Sequence, residues 1–169
     1  YSCQPKTSET SEVASEASVE ETATEQRPSP LEVKEGQIGG KQIKIQYGSP
    51  SVKGRTIWGD LVPYNVVWRT GANNATTIEF DADVKIEGQS LAKGTYALFT
   101  IPEQNEWTII FNKNPKQWGA FSYKQEEDVL RVKVKPSSTS TAQEALKFEI
   151  AGNKVIMTWE SLAVAFGVK

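Results

Sequence analysis

The chain has 169 residues, no histidine, one cysteine and nearly balanced charge, 19 bases against 21 acids. Without histidine there is no Ser-His-Asp or Cys-His mechanism, no imidazole general base and no histidine-ligated zinc. A single cysteine excludes an intramolecular disulfide, a thiolate cluster and a CxxC pair, and no apolar run reaches the ~18 residues of a spanning helix.

The first third reads as two different materials. Apart from Tyr1, every aromatic lies between Tyr47 and Phe166, and residues 3–35 are dominated by Ser, Thr, Glu, Ala and Pro. Such a composition buries too little apolar surface to offset the entropy of ordering its backbone, so residues 1–36 are expected to be a disordered acidic tether, with the folded domain at 37–169. Eight of the acids fall in residues 1–35 against Lys6, Arg27 and Lys34, so the domain itself is mildly basic. That surplus is too small for a nucleic-acid partner, and no Lys/Arg cluster interleaved with aromatics appears.

Tyr1-Ser2-Cys3-Gln4 resembles the tail of a bacterial lipobox, with Ser2 at the small position before the cysteine. This implies a lipid on Cys3 and a membrane contact through it, with the polar arm as spacer; the alternative is an incidental free cysteine in a disordered arm. The expected location is the cell envelope, at the outer membrane.

From Ile38 the apolar period is two rather than 3.6. Ile43, Ile45 and Tyr47 share a face opposite Gln42, Lys44 and Gln46. Thr76–Phe80, Asp83–Ile86, Thr95–Ile101 and Trp107–Asn112 follow as strands between turn-forming segments. Val129–Lys135 turns Leu130, Val132 and Val134 inward. Lys147–Ile150 runs through Ala151-Gly152-Asn153-Lys154 into Val155–Trp159 as a hairpin, and Leu162, Val164, Phe166 and Val168 form a last alternating face. Only Tyr123–Asp128 and Thr141–Ala145 suggest a helical turn or two. The expected fold is all-β, an antiparallel sandwich or compact barrel of nine or ten strands.

The segments Tyr47–Arg55, Leu61–Tyr64, Val67-Trp68-Arg69-Thr70-Gly71-Ala72-Asn73 and Lys93-Gly94-Thr95-Tyr96-Ala97-Leu98-Phe99, followed by Trp107, are distinctive. In this order they resemble a family of secreted bacterial proteins, domain of unknown function 2911, from about Ile43 to Val168. The resemblance implies export, in some members as lipoproteins, and brings no activity or catalytic residues.

Candidate chemistry is sparse. Arg69, Thr70 and Asn73 at a strand end either hold a carboxylate, phosphate or sugar hydroxyl, or Arg69 ties down carbonyls of the Pro63-Tyr64 loop while Asn73 supports a left-handed turn. Asp81 and Asp83, with Glu79, share a face if the strand is unbroken. They are then a weak hard-cation site, or are neutralised across strands by Arg131, Lys133 and Lys135. Trp68, Trp107 and Trp159 read as core. Trp58 and Trp118, near loops, and Tyr64 are candidates for stacking on a sugar ring or a partner. No cofactor is called for. The pattern points to a non-enzymatic envelope lipoprotein that binds a partner protein or glycan. The alternative is a histidine-independent hydrolase using carboxylates.

Overall fold

The computed structural model describes residues 29–169. Alternation becomes ten strands: β1 (Leu31–Ile38), β2 (Lys41–Gly48), β3 (Ala72–Phe80), β4 (Val84–Ile86), β5 (Gln89–Leu91), β6 (Gly94–Pro102), β7 (Trp107–Asn112), β8 (Asp128–Val134), β9 (Ser137–Ala151) and β10 (Lys154–Gly167). Six of them form one antiparallel sheet in the order β1-β2-β3-β6-β7-β8. The long β9–β10 hairpin and the short β4–β5 hairpin, joined by a bridge between Ile86 and Val168, make the second layer of a sandwich.

The inner face of the large sheet is dry. Ile43, Ile45, Ile78, Phe80, Leu98, Trp107, Ile109 and Phe111 pack against Phe148, Val155, Met157, Trp159, Val164 and Phe166 from the second layer. Opposed inner faces of this kind are what period-two patterning produces. β10 adds a detail. Its buried positions are odd from Val155 to Trp159 and even at Val164 and Phe166. The two runs belong to one strand whose register shifts around Glu160, a residue held at φ 56°. An extra residue at a bulge swaps the faces, so both runs reach the same core.

At one end of this core four indoles meet. Trp58 lies edge-on to Trp107 at 5.2 Å, and to Trp68 and Trp159 at 5.8 Å each, while Trp68 and Trp159 stack at 6.0 Å. Offset and edge contacts are the favoured aromatic geometries. The Trp159 indole donates to the carbonyl of Glu144 at 3.1 Å, whereas the buried Trp58 nitrogen has no partner.

Two expectations are corrected. The fold begins at Leu31, inside the segment assigned to the tether. β1 buries little and owes its conformation to eight paired positions with β2, which its own composition does not announce. Thr141–Ala145 is extended within β9, where Gln143 pairs with Glu160, so tertiary pairing overrides helix propensity there. Tyr123–Asp128 does hold a helical turn, a single 3-10 turn at Gln125–Glu127. The expected lipid site at Cys3 lies outside the described residues.

Candidate functional site

The outer face of the large sheet is covered unevenly. Over β6 and β7, Ala97, Phe99 and Ile110 carry a small second core with Ala75, capped by Ala120 and Tyr123 from the connection between β7 and β8. Over β2 and β3 that cover stops, and a groove of about 670 Å³ is left open.

The groove is built by a local substitution of pairing partners. β6 pairs with β3 only from Thr76 to Phe80. Beside the start of β3 the β7–β8 connection takes its place: Asn74 bridges Trp118, Ala75 N donates to Gln117 O at 2.9 Å, and Gly119 N donates to Asn73 O at 3.0 Å. Pro115, Lys116, Gln117 and Trp118 thus form one wall, and Ser29 and Leu31 at the start of β1 form the other. Gln46, Thr77 and Thr95 also line it, from outward positions on β2, β3 and β6. The floor is tight at Gly48, where an added Cβ would lie 2.2 Å from the carbonyl oxygen of Ala72, so only glycine fits.

The connection is held by two polar networks. Buried Gln117 donates through Nε2 to Asn112 Oδ1 at 3.0 Å and to Asn114 O at 2.6 Å, while Asn112 Nδ2 donates to Asp128 Oδ1 at 2.9 Å. Further on, the Tyr123 hydroxyl donates to Asp128, and Arg131 donates to both, at 2.9 Å to Asp128 and 2.7 Å to Tyr123. Burial, then the bond to Asp128, push the Tyr123 hydroxyl up to about 12, against the opposing pull of Arg131. Trp118 at 60 % exposure and Phe121 at 90 % therefore stand out from a fastened loop.

The groove's surface is mostly apolar, with neutral polar groups set into it. Its lining holds four carboxamides (Gln46, Asn73, Asn74 and Gln117), the hydroxyls of Thr77 and Thr95, one exposed indole and a single charge, Lys116. No carboxylate lines it. A second open cleft, of about 620 Å³, has one acid, Asp83, among Lys41, Lys85 and Lys169. Neither cleft offers the two facing acids that carboxylate hydrolysis needs.

Two of the residues singled out from sequence, Asn73 and Trp118, line the groove, and Asn73 is left-handed at φ 64° as a turn asparagine. The others are elsewhere. Thr70 is buried on the inner face, bonded to Thr100 Oγ1 at 3.1 Å and held at φ 60°. Arg69 is half-buried, its Nε has no partner, and burial pushes its guanidinium below the usual range. The fork to the Pro63-Tyr64 carbonyls is not made. Trp58 belongs to the indole cluster rather than the surface, and Tyr64 packs its ring over Gly59.

Asp81 and Asp83 follow the end of β3 and serve as turn acceptors, for Gln42 N at 2.8 Å and Lys93 N at 2.9 Å. Among the described residues no acid, cysteine or histidine cluster could hold a metal ion. Nor are Asp81 and Asp83 neutralised across strands by Arg131 and Lys133, which pair with Asp128 and Glu106 respectively. Gln46, Thr77, Thr95, Lys116 and Gln117 were not singled out. Their outward parity was readable, but which outward residues stay uncovered was not.

Fold and site together define an antiparallel β-sandwich with an open groove on its larger sheet, lined by one lysine and no carboxylate. The chain belongs to the family described as protein of unknown function (DUF2911), whose model matches residues 29–168. That match begins two residues before β1, in agreement with the early start of the fold. No curated protein and no solved structure matches the chain significantly. Among the described residues no helix is long and apolar enough to cross a membrane.

Proposed function

We propose that this protein is a non-enzymatic binding protein of the cell envelope, tethered to the outer membrane by a lipid on Cys3 and engaging its partner through the outer-face groove. The observation that carries the reading is the exposed Trp118, fixed beside a row of carboxamides in a groove without a carboxylate. A large aromatic held in water by a bonded loop, next to convergent donors and acceptors, is the composition of a recognition surface. The absence of facing acids in either open cleft weighs against the carboxylate hydrolase. The Ser-, Thr- and Glu-rich composition between Cys3 and β1 suits a spacer.

The test is affinity capture from solubilised envelopes with full-length wild type and with Asn74→Arg, which places a long cationic side chain in the groove. The expected result is a partner retained by wild type and lost by the variant. Retention by both moves the binding surface elsewhere, and substrate turnover by the purified protein overturns the non-enzymatic reading. For the anchor, metabolic labelling with a palmitate analogue is expected to vanish in Cys3→Ala.

A further inference from the structure

We propose that the groove holds a neutral glycan, with the Trp118 indole against a pyranose face and the Gln117 carbonyl oxygen receiving a hydroxyl or amide proton from the sugar. This rests on the reading of the groove as the binding site. The observation behind it is an unfinished bond. Gln117 is 5 % exposed and lines the groove, and its Oε1 is buried with no partner. The orientation of the amide is settled by its surroundings: Nε2 faces two acceptors, Asn112 Oδ1 and Asn114 O, so a flipped amide would set oxygen against oxygen. Leaving a buried acceptor unpaired is unfavourable, and such groups in folded proteins call for a reason.

The neighbouring residues specify the class of donor. Asn73 Nδ2 is likewise engaged, with Ser29 O at 3.3 Å, which leaves its oxygen as the free end. Gln46, Asn74, Thr77 and Thr95 offer groups that both donate and accept, as sugar hydroxyls do. Thr95 already gives its proton to Glu79 at 3.3 Å, and so presents lone pairs. A ligand rich in O–H and carrying no charge matches this set. A peptide would bring backbone groups suited to a free strand edge, whereas the groove lies over the face of paired strands. Carboxylated or phosphorylated sugars would find only Lys116.

The experiment titrates the full-length protein with neutral hexasaccharides (cello-, xylo-, malto- and chito-), with a uronic acid hexamer, and with the O-permethylated form of any binder. Saturable binding of a neutral hexasaccharide is expected. Permethylation, which removes every O–H donor and keeps the ring, is expected to weaken it by about a hundredfold. Trp118→Ala is expected to weaken it by about tenfold, and the Gln117 side-chain carbonyl carbon resonance to shift on binding. An unmoved Gln117 resonance during saturable binding removes that residue's role. No binding by any neutral sugar, or equal binding of the permethylated one, overturns the glycan assignment. If the envelope partner is still lost in Asn74→Arg, the groove reading survives that result. Loss of neither overturns both.

Discussion

Trp58 and Trp118 have the same local signature. Each precedes a glycine in the left-handed region, at φ 87° for Gly59 and 63° for Gly119, in a segment without regular strand alternation. One is drawn into a four-indole cluster, and the other stands 60 % exposed over a groove. Their bonding is inverted as well. Trp58 is surrounded by aromatic faces while its N–H goes unpaired, whereas Trp118 is held from outside by the ladder to Asn73–Ala75. Packing of the partly buried Trp58 ring against three other indoles offsets its one missing hydrogen bond, since each aromatic pair contributes ~0.5–1.5 kcal/mol beyond area burial and the orphaned donor costs roughly 1–3. At Trp118 the hydrogen bonds belong to the loop, so exposure of the indole is compatible with order.

The largest effect should come from the buried side of this comparison. Trp107→Ala removes the indole nearest to Trp58 and should cost about 3–5 kcal/mol in denaturant unfolding. A loss under ~1 kcal/mol would mean that the cluster packs loosely. Next is the floor of the exposed side. Gly48→Ala drives a methyl into the Ala72 backbone and should cost about 3 kcal/mol, with amide exchange rising at the start of β3.

The loop that carries Trp118 is probed by pH. The unfolded tyrosine titrates near ~10, and Tyr123 in the fold is pushed up to about 12, so the native state keeps a proton that the unfolded chain releases. That contribution is whole below pH ~10 and is lost as pH rises through ~12. The stability gap between wild type and Tyr123→Phe should therefore narrow across this window, and a constant gap would break the assignment. The smallest effect is expected for Trp118→Ala, within ~0.5 kcal/mol of wild type. The same substitution should remove most of the tryptophan emission that iodide quenches, because the other four indoles meet in the cluster. Substantial quenching left in that variant would place Trp58 nearer the solvent than its packing indicates.

Alternation along single strands is enough to show an all-β fold, with sandwich and barrel both open, to turn Ile43, Ile45, Val132 and Val134 inward, and to assign Trp68, Trp107 and Trp159 to the core. It also located the hairpin at Ala151–Lys154. These are properties of neighbouring residues, and the pleat makes them visible at a spacing of two. The residues beside Trp58 and Trp118 hold no comparable signal. Their fates depend on pairings distant in sequence, such as Asn74 with Trp118 and Trp68 with Thr100. So do the strand at Leu31–Ile38, the extended Thr141–Ala145, and the separation of Thr70 from Asn73 onto opposite sides of the sheet. Along the regularly alternating strands, parity in the chain assigns each residue to the inner or outer face. Which outward residues stay uncovered is set by the fold, because cover is supplied by a loop whose position is fixed by hydrogen bonds to other strands.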